Sequence, residues 1–406
     1  MYAAMAKYYA KMARDKFWYS VHRWSYSAGE NPRKVVIVGG SYGGYSVAKR
    51  LANSLPSGYA VTLIEKHKHH NHTFVFPRYS VFDGNETSAF VPLEDRDYSA
   101  IVPPGSMEVT FQECVGIGTD GETGQRYVIL NNGKQVTFDY LVIATGARKF
   151  FPADLDNETA QEGVEKLKNV QSSIKNAKNI AIVGAGAVGV ELATDIKYKY
   201  GDEKNVTLYN SRSKLLPRFH ESVHEAAEPV CKELGVRLHY NVRPKVSGNT
   251  ISLPDGTVEE FDLVFPCVGG SASSQPFQKA LTESINPKTG GITVKPTLQL
   301  ENDPKIFALG DVTDLDAPKM ARACILQSEV VTNNILSLIG GQDAVSKYVP
   351  TYIDGALHLT LGLNKSVLHL GSDSSKLQEH KEDYTMQPQK TWQFFDAQFD
   401  PVKNST

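Results

Sequence analysis

Residues 35–44 decide the fold, and they read Val-Val-Ile-Val-Gly-Gly-Ser-Tyr-Gly-Gly. The apolar run predicts a short strand buried on both faces, as in a parallel sheet. Gly39 permits a tight turn, position 41 lets the backbone approach a phosphate, and Gly44 allows the next helix to pack closely. A serine stands at position 41, where the full Gly-x-Gly-x-x-Gly pattern has glycine. With a helix expected over 46–55, this stretch predicts a strand–turn–helix phosphate site.

A carboxylate at the end of the next strand extends this prediction to a whole dinucleotide. Residues 60–64 form that strand, and Glu65 stands 26 residues after Gly39. There it can accept hydrogen bonds from ribose hydroxyls. The alternative is a plain strand-to-helix turn that binds nothing. The residues expected at this site are Gly39, Gly40, Ser41, Tyr42, Gly43, Gly44, Glu65 and Lys66.

Two later strand ends favour FAD as this dinucleotide. Ala144-Thr145-Gly146 ends an apolar run, and Gly310-Asp311 ends another one far downstream. An acidic residue at such an end can bond the ribityl chain, and small residues leave room for an extended cofactor. Because both elements come after the glycine-rich start in this order, they predict FAD.

A second glycine-rich unit predicts the site of NADH or NADPH. Gly184-Ala185-Gly186-Ala187-Val188-Gly189 is the complete fingerprint, and Gly184, Gly186, Val188 and Gly189 are its expected contacts. Asn210 stands 26 residues after Gly184, where an acid would repel a 2′-phosphate, and Arg212 is two residues further on. This favours acceptance of NADPH alongside NADH. The alternative is that Arg212 and Lys214 are solvated loop cations.

The repetition of one unit determines the domain organisation. We predict an α/β protein with two Rossmann-like, three-layer ββα dinucleotide-binding domains of the glutathione-reductase type, plus a small C-terminal α+β segment. Antiparallel meanders are expected, the first over residues 107–138. The predicted boundaries are 1–33 for an N-terminal segment, 34–150 with 270–345 for the FAD domain, 151–269 for the NAD(P)H domain, and 346–406 for the C-terminal segment.

Composition excludes several other classes of protein. The chain has 406 residues, a formal net charge of −2 and 41% hydrophobic residues. This charge argues against attraction of the whole molecule to nucleic acid. Uninterrupted apolar runs stay short of the ~18 residues of a spanning helix, so membrane contact is expected to be peripheral.

Cysteine and histidine spacing bears on redox and metal chemistry. Cys114, Cys231, Cys267 and Cys324 are scattered and form no close pair. Neither a zinc site nor a dithiol relay is therefore expected, and electrons must leave the flavin directly. Four histidines cluster after Glu65 at positions 67, 69, 70 and 72. We interpret them as solvated loop residues and expect no metal.

The first 33 residues differ from the rest of the chain. Cations (Lys7, Lys11, Arg14, Lys16, Arg23) alternate with aromatic residues. This is typical of a mitochondrial presequence or of a helix lying on an anionic bilayer. An ordinary helix packed on the protein body is the alternative.

These motifs together resemble the apoptosis-inducing-factor-like family, including the ferroptosis-suppressor proteins and their fungal relatives, and more distantly the type II NADH dehydrogenases. The resemblance covers roughly residues 34–370. It is carried by the two glycine-rich turns and by Ala144-Thr145-Gly146, Gly189-Val190-Glu191-Leu192-Ala193, Leu215-Leu216-Pro217, Gly310-Asp311-Val312 and Lys319-Met320-Ala321. The serine at position 41 and the segment after residue 370 depart from the family pattern.

The resemblance implies reduction of quinones by NAD(P)H through bound FAD, often at a membrane surface of the mitochondrion or the cytoplasm. It implies that Glu191 lies near the nicotinamide and that Lys319 and Met320 lie near the flavin. Phe76-Pro77 would line the isoalloxazine pocket. A homodimer is left open. The functional alternatives are a slowly turning over redox sensor in death signalling and a reductase of a small electron-carrier protein.

Overall fold

The computed structural model describes residues 17–371 and 373–401. Its helices are α1 (17–25), α2 (Tyr42–Ala52), α3 (Phe76–Tyr79), α4 (Ala160–Asn176), α5 (Ala187–Tyr200), α6 (Glu221–Glu233), α7 (Ala321–Ile339) and α8 (Gln389–Phe394). Its strands are β1 (Arg33–Val38), β2 (Tyr59–Glu65), β3 (His69–Asn71), β4 (Phe90–Pro92), β5 (Met107–Phe111), β6 (Cys114–Thr119), β7 (Arg126–Leu130), β8 (Gln135–Thr137), β9 (Tyr140–Ile143), β10 (Ala147–Lys149), β11 (Asn179–Val183), β12 (Asn205–Tyr209), β13 (Arg237–His239), β14 (Lys245–Ser247), β15 (Thr250–Ser252), β16 (Val258–Glu260), β17 (Leu263–Pro266), β18 (Gly270–Ala272), β19 (Ile306–Ala308), β20 (Leu357–Leu361), β21 (Lys365–His369) and β22 (Ser375–Glu379).

The chain forms two compact units. Within the described residues, the first comprises 17–68, Glu94–Ala147 and Ser271–Pro350. The second comprises His69–Leu93, Arg148–Gly270, 351–371 and 373–401. Each unit contains a parallel sheet flanked by helices, and the predicted α/β class is confirmed.

The first unit is built on a five-stranded sheet in the order β19-β9-β1-β2-β5, with every pairing parallel. Val35, Val36 and Ile37 are fully buried at its centre, as the apolar run predicts. Helix α2 begins at Tyr42, four residues before the predicted start at residue 46, because the glycine-rich turn itself enters the first helical turn. A separate antiparallel sheet contains β6, β7 and β8.

The predicted meander over residues 107–138 is therefore partly wrong. Residues 114–137 are antiparallel, but β5 pairs in parallel with β2, with Met107 opposite Val61. A strand at the edge of a parallel sheet is only half covered. Its mixed burial consequently resembles that of a strand in an antiparallel meander.

The second unit repeats this plan. Its parallel sheet has the order β13-β12-β11-β17, and antiparallel sheets are formed by β14 to β16 and by β20 to β22. In β20 every second residue is apolar, and Leu357, Leu359 and Leu361 are buried.

The cluster of histidines does not form a solvated loop. His69, His70 and His72 are each 5–6% exposed. Strand β3 pairs with β4, and the His70 ring lies 4.2 Å from the ring of Phe395, centroid to centroid. Burial lowers the pKa of His72 to about 4, so this imidazole is neutral. The expectation of solvated side chains was wrong because a short polar strand can pack both its faces.

Only part of the N-terminal segment can be compared with its prediction, because residues 1–16 lie outside the described residues. Residues 17–25 are helical. Within the part of the chain that the structure describes, no helix is both long and apolar enough to span a bilayer.

Candidate dinucleotide-binding sites

The first glycine-rich turn is closed to side chains. Gly39 has a φ of +102°, and a Cβ there would lie 2.4 Å from the carbonyl oxygen of Ala144. A Cβ on Gly44 would lie 1.8 Å from the carbonyl oxygen of Gly39. Ser41 is the N-cap of α2, and within the described chain its side chain makes no capping hydrogen bond. The Ser41 side chain thus does not cap the helix N-terminus, which is the kind of position where backbone N–H groups bind a phosphate.

Glu65 lies directly against this turn. Its Oε2 accepts a hydrogen bond from the Gly40 amide at 2.5 Å, and its Oε1 accepts one from the His67 amide at 3.0 Å. Burial raises the pKa of Glu65, and the two amide donors oppose this shift. Lys66 is exposed beside it. The carboxylate is thus held at the end of β2, next to the helix N-terminus.

The remaining residues expected at FAD are brought to the same edge of the sheet by its strand order. In a parallel sheet the carboxyl ends of neighbouring strands share one edge, where ligands bind. Ala144-Thr145-Gly146 comes after β9, and Gly310-Asp311 comes after β19. Since the order is β19-β9-β1-β2, both segments and the glycine-rich turn line one edge that ends at Glu65. Two glycines without room for a side chain, a helix N-terminus that its N-cap side chain leaves uncapped, and a carboxylate together fit a dinucleotide.

Lys319 and Met320 precede α7. The Lys319 ammonium donates to the carbonyl of Thr313 at 2.7 Å, and Met320 is the N-cap of α7. Helix α7 packs on α2, where a Cβ on Gly43 would lie 3.3 Å from the Cβ of Cys324. Pro77 lies in α3 of the second unit and is buried there. The assignments of Lys319, Met320 and Pro77 to the flavin remain predictions.

The second glycine-rich turn has the same construction. Gly184 has a φ of +117°, and a Cβ there would lie 2.4 Å from the carbonyl oxygen of Cys267. A Cβ on Gly189 would lie 2.0 Å from the carbonyl oxygen of Gly184. Gly186 is the N-cap of α5 and Val188 lies in its first turn. These features also fit a dinucleotide phosphate.

The loop after β12 differs from its counterpart in the first unit. Asn210 is buried; its Nδ2 donates to the Lys214 carbonyl at 2.6 Å and its Oδ1 accepts from the Arg212 amide at 3.3 Å. Lys214 forms an ion pair with Glu221 at 2.5 Å. Asn210 therefore shapes the loop, Lys214 is already paired, and Arg212 presents an exposed guanidinium.

Glu191 lies near the start of α5 and is 9% exposed. Its Oε1 accepts two hydrogen bonds, from the amide and from the hydroxyl of Thr360, each at 3.1 Å. Burial raises the pKa of Glu191 to about 7, opposed by the hydrogen bonds from Thr360. The nearby Asp195 carboxylate adds to this rise, and Arg78 opposes it.

Sequence reasoning missed the pair formed by Arg78 and Asp195. Arg78 Nε lies 2.7 Å from Asp195 Oδ2, and the two side chains are 1% and 0% exposed. The only signal was the position of Asp195 four residues after Glu191, which places both on one helix face. Its partner, 117 residues earlier in the chain, could be identified only from the tertiary structure.

Comparison with known proteins supports the resemblance found in the motifs. The chain is 31% identical over 366 residues to Fe-regulated protein 8 of Mycosarcoma maydis, with 82% of this chain and 88% of that protein covered. It is 28% identical to ferroptosis suppressor protein 1 of Xenopus laevis, with 83% and 88% covered. The predicted resemblance to ferroptosis-suppressor and apoptosis-inducing-factor-like proteins is confirmed.

Solved structures share the fold at low identity. The sulfide:quinone oxidoreductase of Aquifex aeolicus has a TM-score of 0.66 and 19% identity, with 89% of this chain and 90% of that chain covered. Reduced CoADR-RHD of Bacillus anthracis has a TM-score of 0.63 and 20% identity, with 83% of this chain covered. This chain spans only 61% of the Bacillus protein.

A family model described as pyridine nucleotide-disulphide oxidoreductase matches residues 33–329. The match contains both glycine-rich turns, both strand ends assigned to FAD, and Glu191. Proteins of this family bind FAD and NADH or NADPH, as the two sites predict. The chain is therefore a member of the pyridine nucleotide-disulphide oxidoreductase family.

Proposed function

We propose that this chain is an FAD-dependent NAD(P)H:quinone oxidoreductase. In this proposal a hydride passes from NAD(P)H to the flavin, and electrons then pass directly from the flavin to a quinone. One observation carries the proposal: the chain has two dinucleotide sites but no close cysteine pair. The resemblance to ferroptosis-suppressor proteins implies a quinone as the acceptor.

The state of the four cysteines supports direct electron transfer. All four thiols are free. Burial raises the pKa of Cys114 to about 11 and those of Cys231, Cys267 and Cys324 to about 12. A dithiol relay needs a thiolate, which low-pKa cysteines supply. These thiols stay protonated at neutral pH, and so they are poor candidates for a relay.

The residues of the first site would hold FAD, which supplies a ring system that accepts a hydride and releases two electrons. The helix amides after Gly39 would bind the pyrophosphate, and Glu65 would accept the ribose hydroxyls. Asp311 would bond the ribityl chain. Lys319 would place a positive charge near the flavin, where negative charge develops on reduction.

Glu191 would hold the proton that quinone reduction consumes. Reduction of a quinone by NAD(P)H takes up one proton from outside, because the nucleotide supplies one hydride and a quinol carries two protons. With its pKa raised to about 7, the carboxyl of Glu191 can hold a proton near neutral pH, where an ordinary glutamate is ionised. Oε1 accepts both hydrogen bonds from Thr360, and so Oε2 would carry this proton.

The second site would accept NADPH as well as NADH. A carboxylate at position 210 would repel a 2′-phosphate, and the amide of Asn210 does not. The exposed guanidinium of Arg212 would pair with that phosphate, whereas Lys214 is paired with Glu221.

Helix α1 supports peripheral contact with an anionic membrane. Its aromatic residues Phe17, Trp18 and Trp24 are 63%, 59% and 91% exposed. The opposite side is fixed to the first unit, because Arg23 donates to the Val102 carbonyl at 3.2 Å and His22 Nε2 lies 2.7 Å from the Leu55 carbonyl. Exposed aromatic side chains are typical of helices at a lipid interface, and in the sequence the cations Lys7, Lys11, Arg14 and Lys16 precede them.

A vesicle experiment tests the membrane contact. We expect the protein to sediment with phosphatidylserine-containing vesicles, and the double variant Trp18→Ser, Trp24→Ser to remain in the supernatant. Trp392, the third tryptophan of the chain, is 5% exposed, so a blue shift of tryptophan emission would report α1. Equal sedimentation of wild type and variant would contradict the contact.

Anaerobic half-reactions test the enzymatic proposal. NADPH or NADH should bleach the bound flavin within the time of one turnover, and a short-chain quinone should then restore its absorbance faster than oxygen does. Persistent reduced flavin in the presence of quinone would contradict the proposal and favour a redox sensor. Rapid reoxidation by ferredoxin but not by quinone would identify a carrier-protein reductase instead.

A further inference from the structure

The orientation of the Glu191 carboxyl group depends on one residue of the C-terminal sheet. Both donors of Thr360, which lies 169 residues further along the chain, converge on Oε1 of Glu191. Oε2 has no hydrogen-bond partner among residues 17–371 and 373–401. Rotation of the carboxyl would therefore break two bonds at once, and Oε2 keeps a single direction.

Thr360 is distinguished from its neighbours in β20 by this contact. Leu359 and Leu361 point to one face of the sheet, and His358 and Thr360 to the other. His358 is exposed, but Thr360 is 7% exposed because α5 covers it. A buried hydroxyl must be hydrogen-bonded to be tolerated, and its partner here is Glu191.

Arg78 fastens the end of β20 to α5. Its Nε binds Asp195, one turn after Glu191 on α5, and its Nη2 donates to the carbonyl of Gly362 at 2.8 Å, two residues after Thr360. Its Nη1 donates to the carbonyl of Asp383. One guanidinium thus links the same helix and strand that the contact between Glu191 and Thr360 links.

A close approach between the chain after β20 and helix α5 supports the link that Arg78 makes. Gly362 has a φ of +69°, and a Cβ there would lie 2.5 Å from a ring atom of Tyr198 on α5. The chain after β20 therefore rests directly on the helix. Asp195 Oδ1 has no partner within the described chain, so that without Arg78 a second uncompensated carboxylate would lie beside Glu191.

We propose that Thr360 positions the carboxyl group of Glu191, and that Arg78 positions Thr360 by fastening the end of β20 to α5. The proposal rests on the proposed function for the role of Glu191 in turnover. It assigns a role at Glu191 to the C-terminal sheet, whose residues lie outside both glycine-rich turns in the sequence. The charged groups that act on Glu191 are Asp195 from α5 and Arg78 from α3, and β20 supplies the uncharged Thr360.

The decisive variant is Thr360→Val in the FAD-loaded full chain. Valine has nearly the shape of threonine but lacks the hydroxyl, so one bond to the ionised carboxyl is lost and its pKa should rise further. We expect quinone turnover to fall about tenfold, in line with one lost hydrogen bond to a charged group. The pH dependence of turnover should also move to higher pH. Thr360→Ser keeps the hydroxyl and should restore both properties.

Two controls separate positioning from general stability. In a Glu191→Gln background, Thr360→Val should have no further effect on the pH profile, because the titrating group is gone. A valine effect of equal size in that background would overturn the proposal, as would a wild-type pH profile for Thr360→Val.

The Arg78→Lys variant tests the role of the guanidinium. Lysine keeps the charge but cannot make all three contacts, so this variant should resemble Thr360→Val while the FAD stays bound. An Arg78→Lys variant with wild-type kinetics would overturn the second half of the proposal.

An infrared titration of Glu191, which needs no electron acceptor, separates a failure of this proposal from a failure of the proposed function. The infrared band of the protonated Glu191 carboxyl is the one absent from Glu191→Gln, and its pH midpoint should rise in Thr360→Val. A raised midpoint together with failure to reduce quinone would reject the proposed function alone. An unchanged midpoint would reject the positioning role alone.

Discussion

The two glycine-rich turns share one backbone but differ in the residue at the end of the second strand of each unit. In both turns a Cβ on the last glycine would lie within about 2 Å of the first glycine's carbonyl oxygen. In the first unit that residue is Glu65, whose partly buried carboxylate accepts a hydrogen bond from the Gly40 amide. In the second unit it is Asn210, which bonds its own loop and leaves Arg212 exposed. The two turns have the same backbone, but the strands after them end in different residues. This difference favours a first site that retains its nucleotide and a second site that exchanges it.

The largest expected effects on nucleotide binding come from placing a side chain at the last glycine of each glycine-rich turn. Gly44→Val should yield protein without FAD, since the added atoms overlap the carbonyl oxygen of Gly39. Gly189→Val should keep FAD but raise the KM for NAD(P)H by about 100-fold or more, which corresponds to ~2.7 kcal/mol. Flavin content after gel filtration and stopped-flow reduction measure the two effects. Gly121→Ala is the matched control, because a Cβ there has no neighbour within 4 Å. Loss of FAD from the Gly189 variant would contradict the assignment of FAD to the first turn and NAD(P)H to the second.

The buried carboxyl of Glu191 should make stability depend on pH in the second unit. Its pKa is raised from 4.5 to about 7. The unfolded chain therefore loses this proton at lower pH than the folded chain does. The stabilisation is complete below pH 4.5 and is lost as pH rises through about 7. Relative to wild type, Glu191→Gln should gain up to about 3 kcal/mol between pH 4.5 and pH 8. Urea unfolding of both proteins at the two pH values measures it, and parallel curves would refute the raised pKa.

The nucleotide preference should give the smallest effect. Arg212→Ser should raise the KM for NADPH about tenfold, ~1.4 kcal/mol, and leave the KM for NADH unchanged, since only NADPH carries the 2′-phosphate. Lys214→Ser is the matched control, because Lys214 is paired with Glu221. Equal changes for both nucleotides in Arg212→Ser would show that this loop does not read the phosphate.

The structural features that could be predicted from the sequence are those that a few consecutive residues determine. The glycine-rich turns and the strands before them are local features, and local sterics determines them. Strand β5 was misassigned because the neighbour of an edge strand is not visible in its own residues. The buried histidines were misjudged for the same reason. The contacts of Glu191 with Thr360 and of Arg78 with Asp195 join residues more than a hundred positions apart, and no periodicity reports them.

A reductive titration of the FAD-loaded protein tests the central claim most directly, namely that the flavin itself passes the electrons on. If flavin is the sole redox centre, about one equivalent of NADPH per FAD should complete the reduction under anaerobic conditions, and one equivalent of quinone should reverse it. Four-electron uptake, with about two equivalents of NADPH consumed per FAD and new thiols exposed, would reveal a disulfide partner and contradict the account.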